Sequence, residues 1–307
     1  MWFWRMGRAA RPGATTLEEH QSMTIPVIEN VAPIAGDHRA FLFDLWGVVH
    51  NGVQAFPGAL RTLQALAERQ APVILLSNAP RRGIDVDGRL QEMGIPRDLY
   101  ARVVASGDLV RHAMEGAQAP FGRRFLFWGK APDRSILAGL DYQEVESPAE
   151  ADFVLCAGLD DVLTETVGDY LPRLEAAKDA GLPLVCANPD YVVQHGDTME
   201  PCAGALALAY EQMGGTSHWF GKPYANAYDF CRRELGDDLF AGALMIGDTI
   251  RTDIAGATRA GIGSVLVASG VHGAEFLDGD TVLADKVSRA CAAESVSPLA
   301  VMARLDW

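Results

Sequence analysis

Four separated segments carry side chains suited to one reaction. An apolar run, Phe41-Leu42-Phe43, delivers the carboxylate of Asp44 to a turn containing Gly47. A second apolar run ends in Ser77-Asn78, a third segment reads Gly221-Lys222-Pro223, and a fourth, Met245-Ile246-Gly247, ends in Asp248 with Asp253 five residues on. Moving a phosphoryl group needs an in-line nucleophile, positive charge on the equatorial oxygens and a metal to screen carboxylate from phosphate. Asp44 suits the nucleophile, forming a mixed anhydride that water later cleaves. Ser77 and the Asn78 backbone N–H are suited to bind the phosphoryl oxygens. Lys222 adds a point charge there and helps keep Asp44 ionised. Magnesium prefers a few carboxylate or carbonyl oxygens and retained waters, so Asp44, Asp248 and one main-chain carbonyl would suffice. Asp253 would reach the ion through water or orient Lys222. Carboxylates this close are hard to ionise together without a cation, so the cluster itself implies a metal.

Taken singly, each segment has a plainer reading. Ser-Asn ends strands and caps helices, Gly-Lys-Pro makes surface turns, and Gly-Asp-Thr makes loops. Their joint occurrence in this order, three of them directly after apolar runs, is what points to a site.

The elements that must position these residues are those of an α/β protein. Short β-rich runs at 40–43, 72–76, 102–105, 124–128, 153–157, 183–187, 242–246 and 264–268 alternate with helix-like segments, as in a Rossmann-like, doubly wound parallel sheet. Pro57 and Gly58 open a helix that buries Leu60, Leu63 and Leu66, and residues 82–93 form a second helix closed by Gly94. In such folds chemistry sits at the carboxyl ends of strands. Small and Pro-rich stretches near 116–120 and 201–204 suggest a discontinuous core, 23–118 and 203–307, with a smaller α/β unit inserted at 119–202. Residues 1–22 carry Trp2, Phe3, Trp4 and three arginines without a folding pattern. They read as a disordered extension or as upstream sequence from a mistaken start, with Met23 the more natural beginning.

The chain has 307 residues and a net charge of −14, from 26 basic and 40 acidic side chains. That balance argues against nucleic acid and anionic membrane as partners, and no apolar run approaches the length of a membrane span. Five scattered cysteines without metal spacing suggest buried thiols in a reducing cytoplasm.

In this order the four segments resemble the motifs of the haloacid dehalogenase superfamily of aspartate-nucleophile phosphotransferases. Asp44-Leu45-Trp46-Gly47-Val48-Val49-His50-Asn51-Gly52, Ser77-Asn78-Ala79-Pro80-Arg81 and Asn188-Pro189-Asp190 narrow the resemblance to its nitrophenylphosphatase-like branch, class IIA. The resemblance implies a magnesium-dependent phosphatase of a small phosphorylated metabolite, with a cap inserted between the second and third motifs. It assigns Asp44 as nucleophile and metal ligand, the carbonyl of Trp46 as metal ligand, Ser77 and Lys222 as phosphate contacts, and Asp248 and Asp253 to the metal side. Leu45, Trp46, Asn78, Asn188 and Asp190 complete the candidate substrate contacts. A homodimer through the cap is one expectation for assembly.

Trp46 departs from the family pattern, which places there an Asp that protonates the leaving oxygen and deprotonates the attacking water. Indole does neither at neutral pH, and loss of a positioned acid–base typically costs about 10²–10⁴-fold. Either Trp46 packs while another group takes the proton, or catalysis is impaired. His50 is the nearest alternative acid, although its type and place read first as a flap contact, and Asp190 is a weaker candidate because Asn-Pro-Asp reads first as a turn. Within the inserted unit, Asp160-Asp161 reads as the start of a helix and Lys130 as either solvated or a contact for a second charged group. A phosphometabolite-binding protein with little turnover, or a phosphotransferase with a long-lived phosphoenzyme, are the competing readings.

Overall fold

The computed structural model describes residues 24–115, 120–195 and 198–307. The segment 1–22, expected to be an extension, and most of the proposed junction at 116–120 lie outside the described residues.

In chain order the strands are β1 (Ala40–Phe43), β2 (Val73–Ser77), β3 (Arg102–Ala105), β4 (Arg124–Trp128), β5 (Gln143–Glu144), β6 (Phe153–Cys156), β7 (Leu184–Cys186), β8 (Val192–His195), β9 (Thr198–Pro201), β10 (Ser217–Trp219), β11 (Ala243–Gly247), β12 (Gly263–Val267), β13 (Leu277–Asp278), β14 (Thr281–Val282) and β15 (Ala300–Met302). They form a six-stranded parallel sheet in the order β15-β12-β11-β1-β2-β3 and a five-stranded parallel sheet in the order β10-β7-β6-β4-β5. Two antiparallel pairs, β8-β9 and β13-β14, accompany them. Every strand anticipated from sequence is present within a residue or so.

Both sheets are covered on two faces, which is why their strands are continuously apolar. Side chains alternate across a strand: Phe41 and Phe43 join one core cluster with Leu63, Leu66 and Leu75, whereas Ala40 and Leu42 join another with Tyr228 and Met245. The second sheet repeats the arrangement, with Phe153 and Leu155 on one face and Val154 and Cys156 on the other. All five cysteines are free and buried.

One expectation is corrected here. The chain does not return to the first sheet at residue 203. Helix Ala203–Gln212 packs through Ala203, Leu206, Ala207 and Tyr210 on the second sheet, and β10 extends that sheet beside β7. The stretch of small residues misled because close packing on either sheet fits it equally well. A Cβ on Gly204 would lie 2.5 Å from the carbonyl oxygens of both Pro189 and Asp190, so a glycine is what lets this helix press on the Asn-Pro-Asp turn. Asp160 and Asp161 also differ from expectation. They open no helix: Asp160 accepts from the Gly129 amide and pairs with Arg173, and Asp161 accepts from the Leu163 amide and the Thr164 hydroxyl.

The second sheet is fastened to the first through a short helical segment and through the turn after β7. The short helical segment Ala131–Leu137 rests on helices Gly83–Glu92 and Ser106–Met114. There Arg81 meets the buried Asp133 at 2.8 Å, and Arg111 donates to the carbonyls of Ile136 and Ala138. The turn after β7 is held by Arg251, which donates to the Pro189 carbonyl at 2.7 Å and lies over the Tyr191 ring. Replacing Gly204 with Val should lower stability by roughly 1–3 kcal/mol, the usual cost of overpacking, read as a lower urea midpoint. An unchanged midpoint would show that the turn is not under this constraint.

Candidate active site

β1 lies between β11 and β2, so Asp44, Ser77 and Asp248 leave the same edge of three adjacent parallel strands. Neighbouring strands are about 4.8 Å apart, which makes convergence a consequence of strand order. Asp44 is pinned by its own amide, which donates to the Ile246 carbonyl at 2.9 Å. Beyond it the chain reverses: the amides of Val49 and His50 donate to the Leu45 carbonyl, and Gly47, at φ +79°, donates to the His50 carbonyl.

Lys222 arrives from the opposite side, in the loop that follows β10. Its ammonium pairs with Asp44 and, at 2.8 Å, with Asp253. The loop is held by Asn78, whose Oδ1 accepts from the Lys222 amide at 2.8 Å and whose Nδ2 donates to the Lys222 carbonyl at 3.1 Å. Gly221 sits at φ +127°, and a side chain there would run into Ser106 and Asn78. After Asp248 the chain makes a π-helical turn, Ile250–Ile254. This wider turn brings Asp253 back to accept from the Thr249 amide at 3.0 Å. Asp248 accepts from the Thr249 hydroxyl at 3.0 Å and the Val271 amide at 2.8 Å.

One carboxylate oxygen from each of Asp44, Asp248 and Asp253 lies within 4.8 Å of the others, and all three residues are buried. Three ionised carboxylates against one ammonium would leave two negative charges uncompensated in a site almost shut from water. Burial raises the Asp44 carboxyl well above the ordinary range, with Lys222 opposing and Asp253 and Asp248 adding to the rise. Burial, then Asp253, pushes Asp248 up to about 7. Burial alone would lower the Lys222 ammonium, but Asp253, Asp44 and Asp190 overcome it and hold it above its usual value. The donor set is all oxygen, and Oδ1 of Asp253 is buried without a hydrogen-bond donor in good geometry. Side chains on Gly47 or Gly270 would collide with the Asp248 carboxylate. These features fit a small divalent cation that prefers oxygen ligands.

The other expected site residues fall into place unevenly. The Ser77 hydroxyl is buried and accepts from the Ala79 amide at 3.2 Å. The Leu45 side chain belongs to the core, so only its backbone is available to a substrate. Asn188 accepts from the Asp190 amide, closing the Asn-Pro-Asp turn. Asp190 accepts from Asn78 Nδ2 at 2.9 Å and so stands one side chain behind the lysine. Trp46 packs against the first core and meets His50 edge-on, ring centroids 5.1 Å apart. His50 is buried, its Nδ1 accepts from the Gly52 amide, and burial followed by Arg89 lowers it to about 4. That corrects its candidacy as the replacement acid: the imidazole is neutral near pH 7 and shapes the flap. Lys130 pairs with Glu200 at 3.4 Å. Sequence reasoning missed Arg251, although it lies between Asp248 and Asp253. It also missed the Val271 amide, which has no side-chain signature.

The geometry meets its counterparts in known proteins. Residues 41–143 match the haloacid dehalogenase-like hydrolase family and residues 219–290 a HAD-hydrolase-like family. A D-glycerol 3-phosphate phosphatase of Mycobacterium tuberculosis is 31% identical over 257 residues, 83% of this chain and 69% of that protein. The chain belongs to the haloacid dehalogenase-like hydrolases. It is a member of their class IIA, nitrophenylphosphatase-like branch, as its motifs led us to expect. A haloacid dehalogenase-like hydrolase from Brucella suis superposes with a TM-score of 0.78 at 33% identity, over 91% of this chain and 99% of the other. The glycerol phosphate phosphatase of M. tuberculosis, solved with magnesium, superposes with a TM-score of 0.60 at 29% identity, over 78% and 70% of the two chains. No described helix is long and apolar enough to cross a membrane.

Carboxyls held high by burial resist ionising, so the metal-free fold loses stability as pH rises from their unfolded value near 4 toward about 7. A cation needs the ionised forms. Magnesium should therefore raise the melting temperature more at pH 8 than at pH 5, the stabilisation at pH 8 being about 2.7 kcal/mol when magnesium is at a hundredfold excess over its Kd. Asp248→Asn should remove the effect. An equal shift at both pH values, or one that survives in Asp248→Asn, would place the cation elsewhere.

Proposed function

We propose that this hydrolase is a magnesium-dependent phosphatase of a small phosphate ester or acyl phosphate, working through an aspartyl phosphate at Asp44. The observation that carries this reading is the buried convergence of Asp44, Lys222, Asp248 and Asp253 from separate loops. Asp44, Asp248, the Trp46 carbonyl and Asp253, directly or through water, would hold the magnesium. When bound, the cation screens the nucleophile from the phosphate and draws charge from its oxygens. Lys222 favours the ionised form of Asp44 and meets an equatorial oxygen, with the Ser77 hydroxyl and the Asn78 backbone N–H as further donors. Asp44 Oδ attacks phosphorus, the ester oxygen leaves, and water then cleaves the anhydride at phosphorus, returning the carboxylate. The second sheet with β8-β9 acts as the cap. The M. tuberculosis relative, named for D-glycerol 3-phosphate, supports a small polyol or sugar phosphate as one substrate class.

An alkoxide leaving oxygen must acquire a proton, and the two residues weighed for the place of the family's Asp, His50 and Asp190, are poorly set to give one. His50 is neutral with one nitrogen engaged, and Asp190 is committed to Asn78. This favours aryl and acyl phosphates, whose leaving groups need no proton. It also sustains a second reading, a phosphometabolite-binding protein with slow turnover.

A panel of phosphorylated metabolites with magnesium should show turnover of aryl or acyl phosphates well above that of glycerol phosphates. Equal rates would remove the leaving-group argument. Trp46→Asp should raise alkyl-ester turnover about tenfold or more, part of the 10²–10⁴ range of a positioned acid–base. A folded, magnesium-binding variant with no gain would contradict this. Asp44→Asn should abolish turnover; wild-type protein that binds phosphate esters but turns none over would favour the binding reading.

A further inference from the structure

The Asn78 side chain bonds to both the Lys222 loop and the Asn-Pro-Asp turn. Its Oδ1 accepts from the Lys222 amide, and its Nδ2 donates both to the Lys222 carbonyl and, at 2.9 Å, to Asp190 Oδ1. The amide therefore grips the lysine's own peptide groups from one side and is itself gripped from the other. Only one orientation satisfies the set: the Lys222 carbonyl accepts but cannot donate, so it demands the NH₂ end of Asn78, and the Lys222 amide demands the oxygen. Ser106 Oγ, 3.4 Å from Oδ1, agrees with that orientation.

Asp190 is in turn fixed by elements outside the reaction centre. Its amide donates to Asn188 Oδ1, the Pro189 carbonyl takes Arg251, and Gly204 presses on the carbonyls of both Pro189 and Asp190. The turn follows β7, a strand of the second sheet, whereas Asn78 follows β2 of the first. Resting on the proposed function, we infer that Asp190 is a positioning residue that acts through Asn78 to set the place of Lys222, so that the inserted unit helps build the phosphate site as well as cover it. Its charge adds to this at longer range, since Asp190 joins Asp253 and Asp44 in holding the Lys222 ammonium.

Three variants separate the hydrogen bond from the charge. Asp190→Asn keeps an acceptor for Asn78 Nδ2 and removes the charge; Asp190→Leu fills similar space and removes both; Asn78→Ala removes the intermediary. With p-nitrophenyl phosphate and magnesium, Asp190→Leu should lower kcat by about tenfold or more, as expected for a lost hydrogen bond to a charged group. Asp190→Asn should recover most of that loss. Adding Asp190→Leu to Asn78→Ala should cost little further, because the relay is already cut. Urea midpoints report whether each variant is folded. A purely structural role would lower stability in Asp190→Leu without this rescue and would make the two losses multiply. Either result, or an unaffected kcat in folded Asp190→Leu, overturns the inference. Wild-type protein inactive on p-nitrophenyl phosphate and on the metabolite panel would instead count against the proposed function.

Discussion

The molecule is organised around the burial of one ammonium among three carboxylates. Lys222 is 1% exposed and Asp253 fully enclosed, while Asp44 and Asp248 are nearly so. Charges removed from water are costly unless paired and hydrogen-bonded. Here the pairing is incomplete by two units, and the protein has used its available donors on Asp248 and Asp253 without closing the gap. Such an arrangement is poor as a device for stability. It makes sense as a socket in which a divalent cation and a phosphate dianion are bound together, each making the other's burial tolerable.

The scaffold explains how an expensive cluster is held. β1, β2 and β11 are central and hydrogen-bonded on both sides, so the carboxyl ends that carry Asp44, Ser77 and Asp248 inherit the rigidity of the sheet. Lys222 has no such support and enters on a loop between the two sheets. Its place is secured by side-chain contacts to its backbone, chiefly from Asn78. Reactive positions on strand ends with a charged loop clamped against them give preorganised electrostatics without a mobile nucleophile.

Much of this was readable in the residues. Apolar runs of four or five residues covered on both faces announce parallel strands, and Asp44 and Asp248 directly follow two of them. What escaped had weak local signal. β15 and β10 are three residues each, and β8-β9 looks like a polar loop because its Glu200 and His195 interrupt any alternation. The return point after the second sheet was misplaced because the Ala- and Gly-rich helix 203–212 suits either neighbour. His50 has the right type for an acid, and only its burial and its bond to Gly52 disqualify it. Asp190 reads as part of a turn, and its link to Asn78 spans 112 residues of sequence, a distance over which one sequence carries no trace of contact.

The step that everything in the proposed chemistry turns on is the covalent attachment of Asp44 to phosphorus. Acid-quenching the enzyme during turnover of an aryl phosphate with magnesium, then mapping its peptides by mass, addresses that directly. A phosphoryl group, labile to hydroxylamine, on the peptide containing Asp44 is the expected result. Robust turnover with every trapped phosphoryl group on another residue, or with none on the protein and inversion at phosphorus, would contradict it.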